Sequence, residues 1–238
     1  MNSLEGRVIA IAGAAGGLGP VVASRLAGAG ATLALTDRDQ GRLDALVSDL
    51  GLDESRVDAR VVDLLDEDAA RGWAAALGER FGAVDGLLHL VGGWKGGDPL
   101  ATTPLADYEW LHDLLVRTVI HTVRAFYEPL AASKHGRFVL VSSSQAQSPG
   151  GTNASYGATK AAAEAWTLAL ADTFRKAESA ATANILVINA IVTPRMRAES
   201  PEKAFKTFTS AEEIAAAIEF TCSDAARKMN GKRLPLYP

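Results

Sequence analysis

Short apolar runs alternate with longer stretches of helical spacing along this chain. The runs cover 7–12, 31–36, 57–62, 86–91, 137–141 and 183–189. Most are apolar at nearly every position. Strands buried on both faces read this way, and parallel sheets are their usual setting. The run at 57–62 is interrupted by Asp58 and Arg60, so it is expected to be short or to lie at a sheet edge. Between the runs lie segments of helical spacing at 19–29, 40–50, 67–81, 107–133, 154–178 and 211–223. Repeated strand–helix–strand units predict an α/β fold with a doubly wound parallel sheet. No composition shift, repeat or Pro/Ser-rich linker divides the 238 residues, so one domain is expected over 1–238.

Composition narrows the classes of function. The chain is 48% apolar, enough for a large core, and its formal net charge is −4 with no basic tract. That balance argues against a nucleic-acid or membrane-surface partner. The single cysteine, Cys222, rules out an internal disulfide and reads as a packing residue. The four histidines, His89, His112, His121 and His135, lack metal-ligand spacing, so no metal is expected. The first residues carry no secretory pattern. The charge-free stretches 8–24 and 138–159 are too broken by glycine or too polar to span a bilayer. A soluble cytoplasmic protein is expected.

The first run leads into Gly13-Ala14-Ala15-Gly16-Gly17-Leu18-Gly19, and a helical segment follows at once. Glycines there let the backbone approach a pyrophosphate closely, and the free N–H groups of a helix start favour its charge. Pro20 suits the first helical turn. The second run ends at Asp37, about 20 residues after the glycines. A carboxylate there can accept hydrogen bonds from adenosine ribose hydroxyls and would repel a 2′-phosphate, favouring NAD over NADP. Arg38 follows directly and weakens that preference, since it can pair with a phosphate.

Tyr156 and Lys160 lie at i and i+4, on one face of a helix. A neighbouring ammonium, together with an oxidised nicotinamide ring, is expected to lower the phenol pKa from its usual ~10, fitting Tyr156 for acid/base work. The run at 137–141 opens into Ser142-Ser143-Ser144. A serine at a strand end can face the ligand crevice of such a sheet, and Ser143 could hold a substrate oxygen near the tyrosine.

Gly13, Gly17, Gly19, Asp37, Asp63, Ser143 and Tyr156-x-x-x-Lys160 stand in the order and spacing of the short-chain dehydrogenase/reductase family, which the chain resembles over nearly its whole length. The resemblance implies a Rossmann-type fold and hydride transfer between a nicotinamide cofactor and a small carbonyl or alcohol substrate. It makes Ser143 the substrate-positioning group and Tyr156 the acid/base. Lys160 tunes the tyrosine and binds the nicotinamide ribose. It places Gly13, Gly16, Gly17, Leu18, Gly19, Asp37, Arg38, Asp63, Leu64, Val91, Gly92, Tyr156 and Lys160 along the cofactor, taken as NAD with NADP possible. It also implies a homodimer or homotetramer, assembled through long helices such as 107–133 and 154–178.

The chain departs from the family in several places. His89-Leu90-Val91-Gly92 stands for Asn-Asn-Ala-Gly, and His89 reads as a structural substitute. Arg117 falls near the family's relay asparagine, and aimed at Lys160 it would repel the ammonium. Thr193-Pro194 replaces Pro-Gly, the following loop is short, and Trp94 is a candidate wall of the substrate pocket. Two other readings stay open: a non-catalytic NAD(P)-binding interaction or redox-sensing protein, and a methyltransferase with a similar turn. The latter gives no reason for the Ser–Tyr–Lys spacing.

Overall fold

The computed structural model describes residues 3–237. In chain order the strands are β1 (Val8–Ala12), β2 (Thr32–Asp37), β3 (Val57–Val61), β4 (Gly86–His89), β5 (Arg137–Ser143), β6 (Thr182–Ile188), β7 (Ala190–Val192), β8 (Phe208–Ser210) and β9 (Arg233–Pro235). The helices are α1 (Gly19–Gly28), α2 (Gln40–Leu50), α3 (Glu67–Phe81), α4 (Leu105–His112), α5 (Thr118–Ala132), α6 (Ala154–Lys176), α7 (Pro194–Glu199) and α8 (Ala211–Cys222). Seven strands form one parallel sheet in the order β3-β2-β1-β4-β5-β6-β9, while β7 and β8 pair separately. The chain leaves β3 at one edge and returns to β4 beside β1. At such a reversal the carboxyl ends of the strands open a crevice.

The period-2 alternation of the strands sorts side chains into two layers. Ile9, Ile11, Leu33, Leu35, Val139 and Val141 share a core with Val22 and Leu26 of α1, Leu43 of α2 and Ile214 of α8. On the other face Ala10, Ala12 and Ala34 join Phe138 and Leu140 with Trp73 of α3, Phe126 of α5 and Phe174 of α6. Small strand residues are matched there by large helical ones. The rings of Trp73 and Phe126 meet edge to face with centres 4.9 Å apart.

The polar break in the third run has a local cause. β3 is an edge strand, and Asp58 there binds Arg60 at 2.6 Å and Arg80 at 2.8 Å. Charged side chains on an edge discourage pairing with another sheet. The expected helix 107–133 divides: between α4 and α5, Asp113–Arg117 forms a π-helical turn closed by Thr118 N–H to the Asp113 carbonyl. The short β7, α7, β8 and β9 were not expected from the sequence. Among the described residues no helix is long and apolar enough to cross a membrane.

Phe126 is fully buried in the α3–α5–α6 layer. Phe126→Ala should cost about 3–5 kcal/mol of stability, read as a lower denaturant midpoint with little change in slope.

Candidate active site

A cleft of about 870 Å³ opens at the carboxyl ends of β1, β2, β4, β5 and β6. Of the residues singled out from the sequence, Gly13, Gly16, Gly17, Leu18, Asp37, Arg38, Asp63, Leu64, Val91, Gly92, Tyr156 and Lys160 line it. Gly19 and Ser143 do not.

The glycines divide by role. A Cβ on Gly13 would lie 2.8 Å from Val91 N, and its φ of +79° suits glycine. A Cβ on Gly19 would lie 2.0 Å from the Ala14 carbonyl oxygen. These two let the turn fold onto β4 and onto itself. Gly16 and Gly17 instead turn their bare backbone to the cleft: a Cβ on Gly17 would meet nothing nearer than the Thr193 methyl at 3.8 Å. Leu18 and Gly19 open α1, with Pro20 in its first turn. An anionic group such as a pyrophosphate fits this open stretch beside the start of α1.

At the end of β2, Asp37 holds the turn in place. Its carboxylate accepts from Ala15 N–H at 3.0 Å and from Arg38 N–H at 2.8 Å. Arg42, which sequence reading missed, also lines this end. Among the described residues neither the Arg38 nor the Arg42 side chain forms an ion pair within 4 Å. Asp63 accepts from Leu65 N–H, and this fixes the loop that presents Leu64.

At the other end, α6 brings Tyr156 and Lys160 to one face. The Ser143 hydroxyl lies beside Tyr156 behind the cleft surface and favours its phenolate, and its oxygen accepts from Gln145 N–H at 3.2 Å. Burial raises the Tyr156 phenol above its ordinary range, and the Ser143 hydroxyl opposes the shift. The sequence led to the expectation of a phenol lowered by Lys160 together with an oxidised nicotinamide ring. The ammonium lies 5.9 Å from the ring centre and donates instead to the Val141 carbonyl at 3.0 Å, so burial dominates.

Lys160 is buried. Burial pulls its pKa down to about 8, against the charge of Glu164 one turn further along α6. Glu164 is itself buried and pairs with Arg233 of β9 at 2.7 Å, and a second Arg233 nitrogen lies 3.4 Å from the Ser143 carbonyl. One ion pair thus touches both the lysine's helix and the serine's strand. Nothing in the sequence pattern pointed to it.

Arg117 does not face Lys160. It pairs with Asp113 at 3.0 Å and does not line the cleft, whereas Asp113, Leu114 and Thr118 do. The extra residue in that turn moves the cleft-facing position by one. The proposed repulsion of the lysine is therefore absent.

His89 ends β4 with no exposed surface, and neither ring nitrogen makes a well-formed hydrogen bond. Burial first, then the charge of Lys160, push its pKa down to about 3. Burial also pushes the Cys222 thiol up to about 12, so it stays a protonated packing group. Among the described residues no His, Cys, Asp or Glu cluster could hold a metal. The unfolded chain protonates a histidine near pH ~6.5, the folded chain only near 3, so stability should fall as pH drops through that window. His89→Asn should remove on the order of 3 kcal/mol of the loss between about pH 7 and pH 4, read from urea unfolding at both. An unchanged slope would mean that His89 is protonated in the fold.

With the site defined, likeness to known proteins can be set beside it. The family model for short chain dehydrogenase matches residues 7–206. The 2,3-dihydroxy-2,3-dihydro-p-cumate dehydrogenase of Pseudomonas putida is 29% identical over 203 residues, 84% of this chain and 78% of that protein. The 2,3-dihydro-2,3-dihydroxybenzoate dehydrogenase of Bacillus subtilis is 30% identical over 171 residues, 71% of this chain and 64% of that protein. A crystal structure from Brucella melitensis, a short-chain dehydrogenase/reductase described as a glucose/ribitol dehydrogenase, is 28% identical. It superposes with a TM-score of 0.84 over 98% of this chain and 96% of that one. Gly-rich turn, switch-point cleft and family match agree: this chain belongs to the short-chain dehydrogenase/reductase family of NAD(P)-dependent oxidoreductases.

Proposed function

We propose that the chain moves a hydride between NAD and a carbonyl or alcohol carbon, with Tyr156 as the acid/base, Ser143 as the group that positions it and the substrate oxygen, and Lys160 as the charge beneath them. The observation that carries this reading is the placement of Tyr156 and Lys160 together in the same cleft as the glycine turn, with Ser143 at the end of β5 beside the tyrosine. The bare backbone of Gly16 and Gly17, the carboxylate of Asp37 and the loop of Asp63 and Leu64 fit a dinucleotide laid across the switch point. Val91 and Gly92 would flank its middle. The nicotinamide, when bound, supplies or accepts the hydride.

In the reducing direction Tyr156, held protonated by burial, gives its proton to the substrate oxygen as negative charge develops there. Ser143 orients that phenol. The buried Lys160 ammonium stabilises the phenolate left behind. In the oxidising direction the phenolate takes the alcohol proton. The two relatives named above are, by their names, dehydrogenases of 2,3-dihydroxy-2,3-dihydro compounds, which supports a hydroxyl-bearing carbon as the reacting centre. Reading residues 1–238 as one catalytic domain in the cytoplasm, we also place a homodimer or homotetramer in this proposal, which would cover the exposed Trp166 and Leu168 of α6. Arg38 and Arg42, without ion pairs at the Asp37 end, favour NADP as the second reading.

Tyr156→Phe should lower kcat by at least about 10²-fold while leaving the NADH dissociation constant within about twofold, measured by steady-state kinetics and fluorescence titration. Retained turnover would remove Tyr156 from the chemistry. NADH should bind more tightly than NADPH to the unaltered protein. Asp37→Ala should narrow or reverse that ratio, by about tenfold, in the same titration. An NADPH preference in the unaltered protein would assign the adenosine end to the two arginines.

A further inference from the structure

The cleft continues beyond Tyr156 into a region bordered by Trp94, Trp110, Leu114 and Met196. Trp94 and Trp110, both on the cleft border, are 59% and 42% exposed, unusual for residues so apolar. Both are held in place. Trp94 Nε1 donates to Asn153 Oδ1 at 3.1 Å, and Asn153 is the residue that precedes the helix carrying Tyr156. A Cβ on Gly96 would lie 2.7 Å from that same amide oxygen and 3.2 Å from the Trp94 ring. A Cβ on Gly93 would lie 2.8 Å from the Trp110 ring and 2.7 Å from a Leu114 methyl. The loop after β4 is therefore pressed against two indoles, and the polar atom of Trp94 is already used.

The charges around this region cancel locally. Lys95 binds Asp107 at 2.7 Å and its ammonium sits 5.0 Å from the Trp110 ring centre. Asp113, an acid on the cleft border, pairs with Arg117. Among the residues that border the cleft, Arg38 and Arg42 lie at the Asp37 end and Lys160 is enclosed beneath Tyr156. Among the described residues that line the cleft, no unpaired cation stands beside the tryptophans to receive a carboxylate or phosphate, and Asp113 would repel one. The polar groups on hand are the neutral amides of Gln145 and Asn153.

We propose that the substrate is a neutral carbonyl or alcohol carried on or next to an apolar ring, seated against Trp94 and Trp110 with its oxygen at Tyr156. The proposal rests on the reaction assigned above and adds the substrate class. Aromatic faces reward flat apolar rings, and burial of the ring would cover surface that is otherwise exposed to water.

The test compares, with NADH, the reduction of neutral aryl and cycloalkyl ketones against 3-oxo-carboxylates of similar size, in the unaltered protein and in the Tyr156→Phe protein. The ring ketones should have a kcat/KM at least about tenfold higher, with the turnover lost in Tyr156→Phe. Trp110→Ala should raise KM for the ring ketones about tenfold with NADH affinity unchanged, and Trp110→Phe should bring KM most of the way back. Because Trp110→Phe restores a ring at the same position, and NADH binding reports an intact fold, a folding defect in Trp110→Ala is told apart from loss of the contact. Preference for the oxo-acids in a Tyr156-dependent reaction overturns the substrate class and leaves the reaction standing. Equal turnover in the Tyr156→Phe protein overturns the reaction, and this proposal with it.

Discussion

The cleft depends on keeping one ammonium charged at its nearly buried floor. Lys160 has lost most of its hydration, and a buried cation without compensation discharges or unfolds its surroundings. Two groups offset that cost. The Val141 carbonyl takes one hydrogen bond, and the Glu164 charge acts from the next turn of the same helix. Glu164 in turn is a buried acid that needs its own partner, and Arg233 provides it. The sheet's last strand is thus electrically tied to the helix that bears Tyr156. This explains why a chain end that reads as weakly apolar still joins the sheet beside β6.

Steric constraint governs the other end of the cleft. Gly13 and Gly19 lie where any side chain would strike backbone, so they set the shape of the turn. Gly17 lies where a side chain would fit but would stand in the cleft, while a Cβ on Gly16 would lie 3.2 Å from the Gly13 carbonyl oxygen. The same cluster therefore encodes two demands, one from folding and one from close approach of a ligand. Asp37 joins them, because a carboxylate that lines the cleft also anchors the turn through Ala15 N–H.

Much of this was legible in the sequence, for physical reasons. Strands buried on both faces are apolar at every position, so β1, β2, β4, β5 and β6 stand out, and Asp58 and Arg60 mark β3 as an edge. The Gly-rich turn, Asp37 and the Tyr156–Lys160 spacing are local patterns and can be read directly. What escaped depends on distance or on phase. β9 contains Arg233 and Pro235, and its place is explained by Glu164, 69 residues away. β7 and β8 are three residues each, too short to show a period. The burial that raises the Tyr156 phenol was not legible, because spacing gives proximity to Lys160 but says nothing of what covers the ring. Thr118 was missed because helical spacing cannot reveal an inserted residue.

That inserted residue has a consequence for how such a chain can vary. An α-helix advances about 100° per residue, so one residue too many in Asp113–Arg117 offsets the faces of α4 and α5 by roughly that angle. Val119, Val123 and Phe126 can then address the sheet while Trp110, Leu114 and Thr118 address the cleft. Loss of a single codon here would restore a regular helix and swing Trp110 away from the cleft. The strands, the glycine turn and the Tyr156–Lys160 pair would keep their places. The genetic distance between two different pocket shapes on this scaffold is one triplet.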